Sequence, residues 1–109
     1  MAFTTEERGD ITLVHASGML TMNTAPQLRE VVSGAITSGA RKIAVDLSGV
    51  EFIDSSGLGA LVGSLKAARQ AEGDLRIGGA SSQVLMVLKL TNLDRVLTPH
   101  ESAADAFTA

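Results

Sequence analysis

The sequence predicts a single small α/β domain in which helices flank a mixed sheet of about four to five strands. Short apolar runs, typical of buried strands, alternate along the chain with segments whose apolar residues recur at helical spacing. With 109 residues, 45% of them apolar, the chain can bury roughly two-thirds of its extended surface as one domain. We therefore expect one domain over residues 1–109, with about four helices and with right-handed crossovers between the central strands.

The chain begins with a predicted antiparallel hairpin. Two short strand candidates, residues 3–8 and 11–16, are separated by Gly9-Asp10, a two-residue turn signal. His15 lies in the second candidate with no second metal-type residue beside it in the sequence. We interpret it as a partly buried structural residue rather than a metal ligand.

A loop over residues 17–23 leads to the first predicted helix. Thr24 and Gln27 have the spacing of a capping box, Pro26 lies in the first turn, and Gly39 marks the end. The residues expected to face inward are Leu28, Val31, Val32, Ala35 and Ile36.

The central strand candidate is the apolar run over residues 43–47, after which Gly49 offers a bend. A second helix follows, since one face of the next segment is apolar at helical spacing. Its inward-facing residues are predicted to be Leu58, Leu61, Val62, Leu65 and Ala68. Asp54, Ser55 and Ser56 are all good N-cap residue types, so they should lie at a strand-to-helix corner.

Residues 75–77 predict another short strand, and a third helix is expected from about residue 82 to residues 91–93. This helix is apolar over much of its circumference, which permits a homodimer. Beyond it we expect a brief edge strand at residues 96–97. A final helix capped by Ser102 would then dock Phe107.

Composition narrows the class of protein. The net charge is −3, the basic residues are scattered, and the only aromatic residues are three phenylalanines, so we expect no direct nucleic-acid binding. There is no cysteine, which favours a reducing compartment. The apolar runs are far shorter than the roughly 20 residues that span a bilayer, and residues 1–8 lack a signal-peptide pattern. These features predict a cytoplasmic protein with no membrane span.

No enzyme motif is complete. Gly57, Gly59 and Gly63 only partly match a dinucleotide fingerprint, because the spacing is wrong. A serine hydrolase would need a base from His15 or His100, and the Gly-x-Ser-x-Gly elbow is missing. A Walker sequence and clustered metal ligands are missing too. We therefore expect no enzyme activity, no catalytic residue, no metal and no cofactor.

The run VDLSGVEFIDSSGLG over residues 45–59 closely resembles the signature of bacterial anti-sigma factor antagonists, which are STAS domain proteins. The predicted hairpin, the Thr-Ala-x-x-Leu helix start and the carboxy-terminal helix pair also fit that layout. The resemblance implies that the unphosphorylated protein binds an anti-sigma factor, itself a serine kinase, and so frees a sigma factor. It also implies that phosphorylation of the second serine, Ser56, abolishes this binding.

The partner-binding residues that the resemblance implies lie at the corner and in the loop after the hairpin. They are Thr21, Asn23, Asp54, Ser55, Ser56, Gly57 and Leu58. We expect Ser55 to serve mainly in capping and Ser56 to be the exposed switch, while Gly57 and Gly59 leave room for another molecule to approach the backbone.

Two alternatives stay open. In one, the serines only cap a helix, which is worth about 1 kcal/mol. In the other, the chain is a STAS scaffold subunit that is never phosphorylated, for example of a lipid-transport ATPase complex. Thr21 keeps the second alternative open, because it stands where the family often has an aspartate and offers only a neutral hydroxyl.

Overall fold

The computed structural model describes residues 2–108, so Met1 and Ala109, the two ends of the expected domain, lie outside the described residues. Within that range, strands and helices alternate after an initial strand pair. The elements in chain order are β1 (Ala2–Arg8), β2 (Ile11–Leu20), α1 (Ala25–Thr37), β3 (Lys42–Ile53), α2 (Ser55–Gln70), β4 (Asp74–Gly78), α3 (Ser82–Leu90) and β5 (Pro99–His100). One turn of 3-10 helix, Leu93–Arg95, separates α3 from β5.

These strands form one five-stranded sheet in the order β1-β2-β3-β4-β5. β1 pairs antiparallel with β2 through a tight turn at Gly9, whose φ of 60° lies in the left-handed region that glycine adopts without strain. Every neighbouring pair from β2 to β5 is parallel. The predicted α/β class, the mixed sheet and the amino-terminal hairpin are therefore confirmed.

The helices bury their apolar faces in one core against one face of the sheet. Fully enclosed members from the central strands and from each helix include Val45, Ile77, Leu28, Leu61 and Leu88. Burial stabilises each side chain of this size by about 1.5–3 kcal/mol. The core therefore fixes α2 against α1 and against β3 and β4 of the sheet.

The opposite face of the sheet is covered by the carboxy-terminal segment. Leu13 and Ala44 pack there against Ala103 and Ala106, and all four are buried. The segment approaches the sheet very closely, since a Cβ added to Gly78 would lie 2.3 Å from the Ala103 nitrogen.

This close approach explains why the predicted final helix is wrong. The segment instead forms successive turns, in which the Asp105 N–H donates to the Ser102 carbonyl at 3.3 Å. Residues 2–108 therefore contain three α-helices rather than about four. Phe107 is still half-buried, and the Arg76 guanidinium lies 4.5 Å from the centre of its ring.

Two strands are longer than predicted. β2 continues to Leu20, so the first part of the expected loop over residues 17–23 is strand, and β3 continues through Gly49 to Ile53. The pairing of the two strands shifts register twice in this region, so Gly49 belongs to an irregular strand rather than to a bend that ends it. A Cβ there would lie 2.9 Å from the Ala16 carbonyl oxygen, so the position suits glycine.

α1 begins after Thr24 as predicted, but the capping box does not form. The Thr24 hydroxyl donates to the Met19 carbonyl at 2.8 Å and accepts the Thr21 N–H at 2.9 Å. It therefore stabilises the loop before α1 instead of the helical N–H groups. Gly39 follows the end of α1 with a φ of 103°, in agreement with the predicted stop.

The predicted edge strand at residues 96–97 is wrong. Leu97 is only 2% exposed and belongs to the main core, where its side chain anchors the chain after the 3-10 turn. The edge strand forms three residues later, at Pro99 and His100. Proline is compatible with this position, because an edge strand leaves one side without hydrogen bonds.

His15 joins three strands on the face of the sheet away from the helices. Its Nδ1 lies 2.9 Å from Asp46 Oδ2 in β3, and its Nε2 lies 3.0 Å from Glu6 Oε1 in β1. The hydrogen bond to Asp46, and then the one to Glu6, raise the pKa of His15 above its usual 6.5. The prediction of a partly buried structural histidine is confirmed.

Candidate functional site

The predicted corner between β3 and α2 forms around Asp54. Asp54 has an extended backbone, with φ −110° and ψ −175°, and is the N-cap of α2. Its Oδ1 accepts the backbone N–H of Gly57 at 2.9 Å, which satisfies one of the free donors at the helix start. The cap is therefore a carboxylate, so neither serine is needed for it.

Asp54 also holds the loop that follows β2. Its backbone N–H donates to the Leu20 carbonyl at 3.2 Å, and its Oδ2 accepts the Met22 N–H at 3.3 Å. These two bonds bring the segment that contains Thr21 and Asn23 to the first turn of α2. The loop after β2 and the corner are therefore adjacent.

The two serines have different exposures. Ser55, the first residue of α2, is exposed, whereas Ser56 is half-buried. The expectation that Ser55 caps the helix is therefore wrong, and Ser56, which was expected to be the exposed switch, is only partly exposed. The reason is that Asp54 occupies the cap position, so Ser55 moves to the first helical position.

Gly57 does not leave space for another molecule. A Cβ at this position would lie 2.3 Å from the Leu20 carbonyl oxygen and 2.8 Å from the Ile53 side chain. The missing side chain thus lets the end of β2 pack against α2, which corrects the expectation. Leu58 is only 4% exposed and belongs to the core, so neither residue presents a side chain to a partner.

Gly59, by contrast, is exposed and open. The nearest heavy atom to an added Cβ would be a terminal nitrogen of Arg29, at 3.9 Å. Together, Ser55 and Gly59 leave the first turn of α2 accessible from outside. The accessible loop beside it contributes Asn23, which is exposed, and Thr21, which is half-buried.

Exposed apolar side chains that were not predicted from the sequence lie next to this corner. Met22 is 70% exposed, and Met19 and Phe52 are about half exposed. Met19 and Phe52 are direct neighbours in the pairing of β2 with β3. Successive side chains of a strand face opposite sides of the sheet, so Met19 is exposed where Leu20 is buried. This can be recognised only once β2 is known to continue past Ala16.

The first turn of α2 contains no acidic residue, so Asp54 alone offsets the partial positive charge of the helix start. A phosphoryl group on a serine here would gain from that partial charge and would be repelled by the Asp54 carboxylate.

Between residues 2 and 108, no three His, Cys, Asp or Glu side chains converge as a metal site. No helix in the same range is both long and apolar enough to cross a bilayer.

Comparison with known proteins agrees with this geometry. A family model described as the STAS domain matches residues 2–106. The anti-sigma-B factor antagonist of Staphylococcus aureus (strain NCTC 8325 / PS 47) is 36% identical over 88 residues, which cover 81% of this chain and 82% of that protein.

Solved structures show the same fold. An anti-sigma factor antagonist from Mycobacterium paratuberculosis matches with a TM-score of 0.86 and 25% identity, over 98% of this chain and 91% of that one. The Bacillus cell fate determinant SpoIIAA in its phosphorylated form matches with a TM-score of 0.68 and 24% identity, over 90% of each chain. Since the family match spans nearly all described residues and a close relative is an antagonist, the chain belongs to the STAS domain family, among the anti-sigma factor antagonists.

Proposed function

We propose that the unphosphorylated chain binds an anti-sigma factor that is also a serine kinase, and that this binding frees a sigma factor. Phosphorylation at the start of α2 then abolishes the binding. The observation that carries the proposal is the exposed Ser55 hydroxyl in the first turn of α2, beside a loop fixed by Asp54. In this role the chain is a cytoplasmic regulatory protein and the substrate of a kinase, with no enzyme activity of its own.

The exposures of the two serines favour Ser55 as the main phosphoacceptor. The resemblance to the family assigned this role to Ser56, but Ser56 is half-buried and Ser55 is exposed. A kinase must bring a γ-phosphoryl group nearly in line with the attacking hydroxyl oxygen. Ser55 leaves more room for that approach than Ser56, which its neighbours partly cover.

The partner surface that we propose consists of the first turn of α2 and the adjoining loop. Its accessible side chains are Thr21, Met22, Asn23 and Ser55. Met22, at 70% exposure, supplies apolar surface that a partner would remove from water. Asp54, Ser56, Gly57 and Leu58 belong to the same corner, and their role is to set its shape.

A phosphate on Ser55 is expected to act on binding more than on folding. It adds a charge of about −1.5 to −2. The partial positive charge of the helix start stabilises such a group by only about 0.3–1 kcal/mol. In the free protein the group would remain in water. Buried in an interface without a counter-charge it would cost several kcal/mol, and about 4 kcal/mol already weakens affinity roughly a thousandfold.

The rival proposal, a STAS scaffold subunit that is never phosphorylated, rests on the neutral Thr21. To separate the two, the chain would be incubated with ATP and each anti-sigma factor kinase of the source genome, followed by intact-mass measurement. One added phosphate that disappears in Ser55→Ala and persists in Ser56→Ala supports the proposed switch. Binding without any added phosphate supports the scaffold. Loss of the phosphate in Ser56→Ala alone would show that Ser56 is the phosphorylated residue.

A further inference from the structure

A cavity of about 330 Å³ lies at the far end of α2 from the serines. It is bounded by the last turn of α2, the first half of β4 and the segment before β5. Its charged and polar lining includes Arg69, Asp74, Arg76, Arg95 and His100. Ser55 and Arg69 are fourteen helical positions apart, or about 20 Å, so the cavity is separate from the proposed partner surface.

The lining is strongly basic in a chain whose net charge is −3. Three arginines line the cavity and Asp74 is the one acid in the lining, which leaves a surplus of two positive charges without counting His100. Asp94 and Glu101, which adjoin Arg95 and His100 in the sequence, are not among the lining residues. Such an imbalance favours an anionic ligand.

Asp74 pairs with only some of the N–H donors of the arginines around it. It meets Arg69 through Nε at 3.3 Å and Arg76 through Nε at 3.5 Å. One terminal nitrogen of Arg76 donates to the Ala106 carbonyl at 2.9 Å, which fixes that side chain in place. Arg95 makes no ion pair with any residue between 2 and 108. The guanidinium groups of Arg69 and Arg95 therefore keep free N–H donors that can bind a phosphate.

The shape of the cavity selects a small ligand over a peptide strand. β5 pairs only with Ile77 and Gly78, so the first half of β4 forms an open edge. However, Asp74 Oδ1 accepts the Leu75 N–H at 2.9 Å, which removes a donor that an added strand would need. The volume lies near the lower end of the range for small-molecule sites, and Val96, at 45% exposure, is the apolar lining side chain that a ligand could reach.

The geometry points to a binding site for a small phosphorylated molecule at this cavity. The free guanidinium N–H groups of Arg69 and Arg95 bind the phosphate, and Arg76 adds a fixed positive charge beside it. The organic part of the ligand contacts Val96. This site is independent of the proposed switch at Ser55.

The test uses the full chain labelled with ¹⁵N, at low ionic strength, titrated with ribose 5-phosphate, with ribose and with inorganic phosphate. We expect saturable amide shifts at residues 74–76 and 95–100 with ribose 5-phosphate and none with ribose. Inorganic phosphate that binds as tightly as the ester would support the phosphate site and show that the sugar is not contacted. Absence of saturable shifts with both phosphates, or equal binding of ribose, would overturn the inference.

Two variants locate the site. Arg95→Gln should weaken binding of ribose 5-phosphate at least tenfold, which corresponds to about 1.4 kcal/mol. Lys66→Gln is the matched control, because it removes one positive charge from an exposed position of α2 outside the cavity lining. Equal affinity of Arg95→Gln and the unaltered chain would contradict the assignment, and so would an equal loss in both variants.

Discussion

The Asp54 carboxylate accepts the backbone N–H of Met22 at 3.3 Å, while its other oxygen caps α2 through the N–H of Gly57 at 2.9 Å. One side chain thus fixes both the helix that carries the serines and the loop that lies beside it. The two halves of the proposed partner surface are distant in the sequence, because one follows β2 and the other follows β3. Their relative position therefore depends on Asp54.

Asp54→Ala should destabilise the protein by about 1–2 kcal/mol, because it removes the N-cap and the bond to the loop. Asp54→Asn is the matched variant. It keeps one acceptor oxygen and should lose clearly less. Urea unfolding followed by circular dichroism measures both free energies of unfolding, and equal stability of Asp54→Ala and the unaltered chain would show that the cap contributes little.

Gly57→Ala should be strongly destabilising, by about 1–3 kcal/mol or more, because the added methyl group would lie 2.3 Å from the Leu20 carbonyl oxygen. Gly59→Ala, two positions along α2, is the natural control. Its methyl group would meet nothing closer than 3.9 Å, so the higher helix propensity of alanine should stabilise the protein by about 0.5–1 kcal/mol. Thermal unfolding of the pair measures this contrast. A shift of the unfolding midpoint in the same direction for both variants would show that the end of β2 does not pack closely on α2 at Gly57.

Stability should fall as the pH rises above the usual pKa of His15. The pKa of His15 in the folded state is raised above its usual 6.5 by hydrogen bonds to Asp46 and Glu6. The folded state therefore binds this proton more tightly than the unfolded state. The resulting stabilisation is fully present below pH 6.5 and is lost as the pH rises through the folded pKa.

The measurement compares unfolding midpoints of the unaltered chain and of His15→Gln between about pH 5.5 and about pH 8.5, where the neighbouring carboxylates stay ionised. The difference between the two proteins should be largest at the acid end of this range. Parallel pH profiles would mean that the bridge across β1, β2 and β3 does not depend on the charge of the imidazole.

The helices and the corner could be predicted because their signals are local. The spacing of Leu58, Leu61 and Leu65 determines the buried face of α2 without reference to the rest of the chain. The exposures of Ser55 and Ser56 could not be predicted, since three successive residues can all act as an N-cap. The end of β3 at Ile53 decides which one does.

The other errors concern contacts between distant parts of the chain. The extension of β2 to Leu20 depends on pairing with β3, which lies more than thirty residues away. The loss of the final helix depends on the packing of Ala103 and Ala106 on the sheet. A capping pattern at Ser102 contains no information about that surface, so it predicted a helix where the chain makes turns.

The central claim is that a charge on Ser55 blocks partner binding while the fold is kept. The most direct measurement is the affinity of Ser55→Asp and Ser55→Ala for an anti-sigma factor kinase that binds the unaltered chain, with thermal unfolding of both variants as a control. We expect Ser55→Asp to bind at least a hundredfold more weakly than Ser55→Ala, about 2.7 kcal/mol, at closely similar unfolding midpoints. Equal affinities of the two folded variants would contradict it.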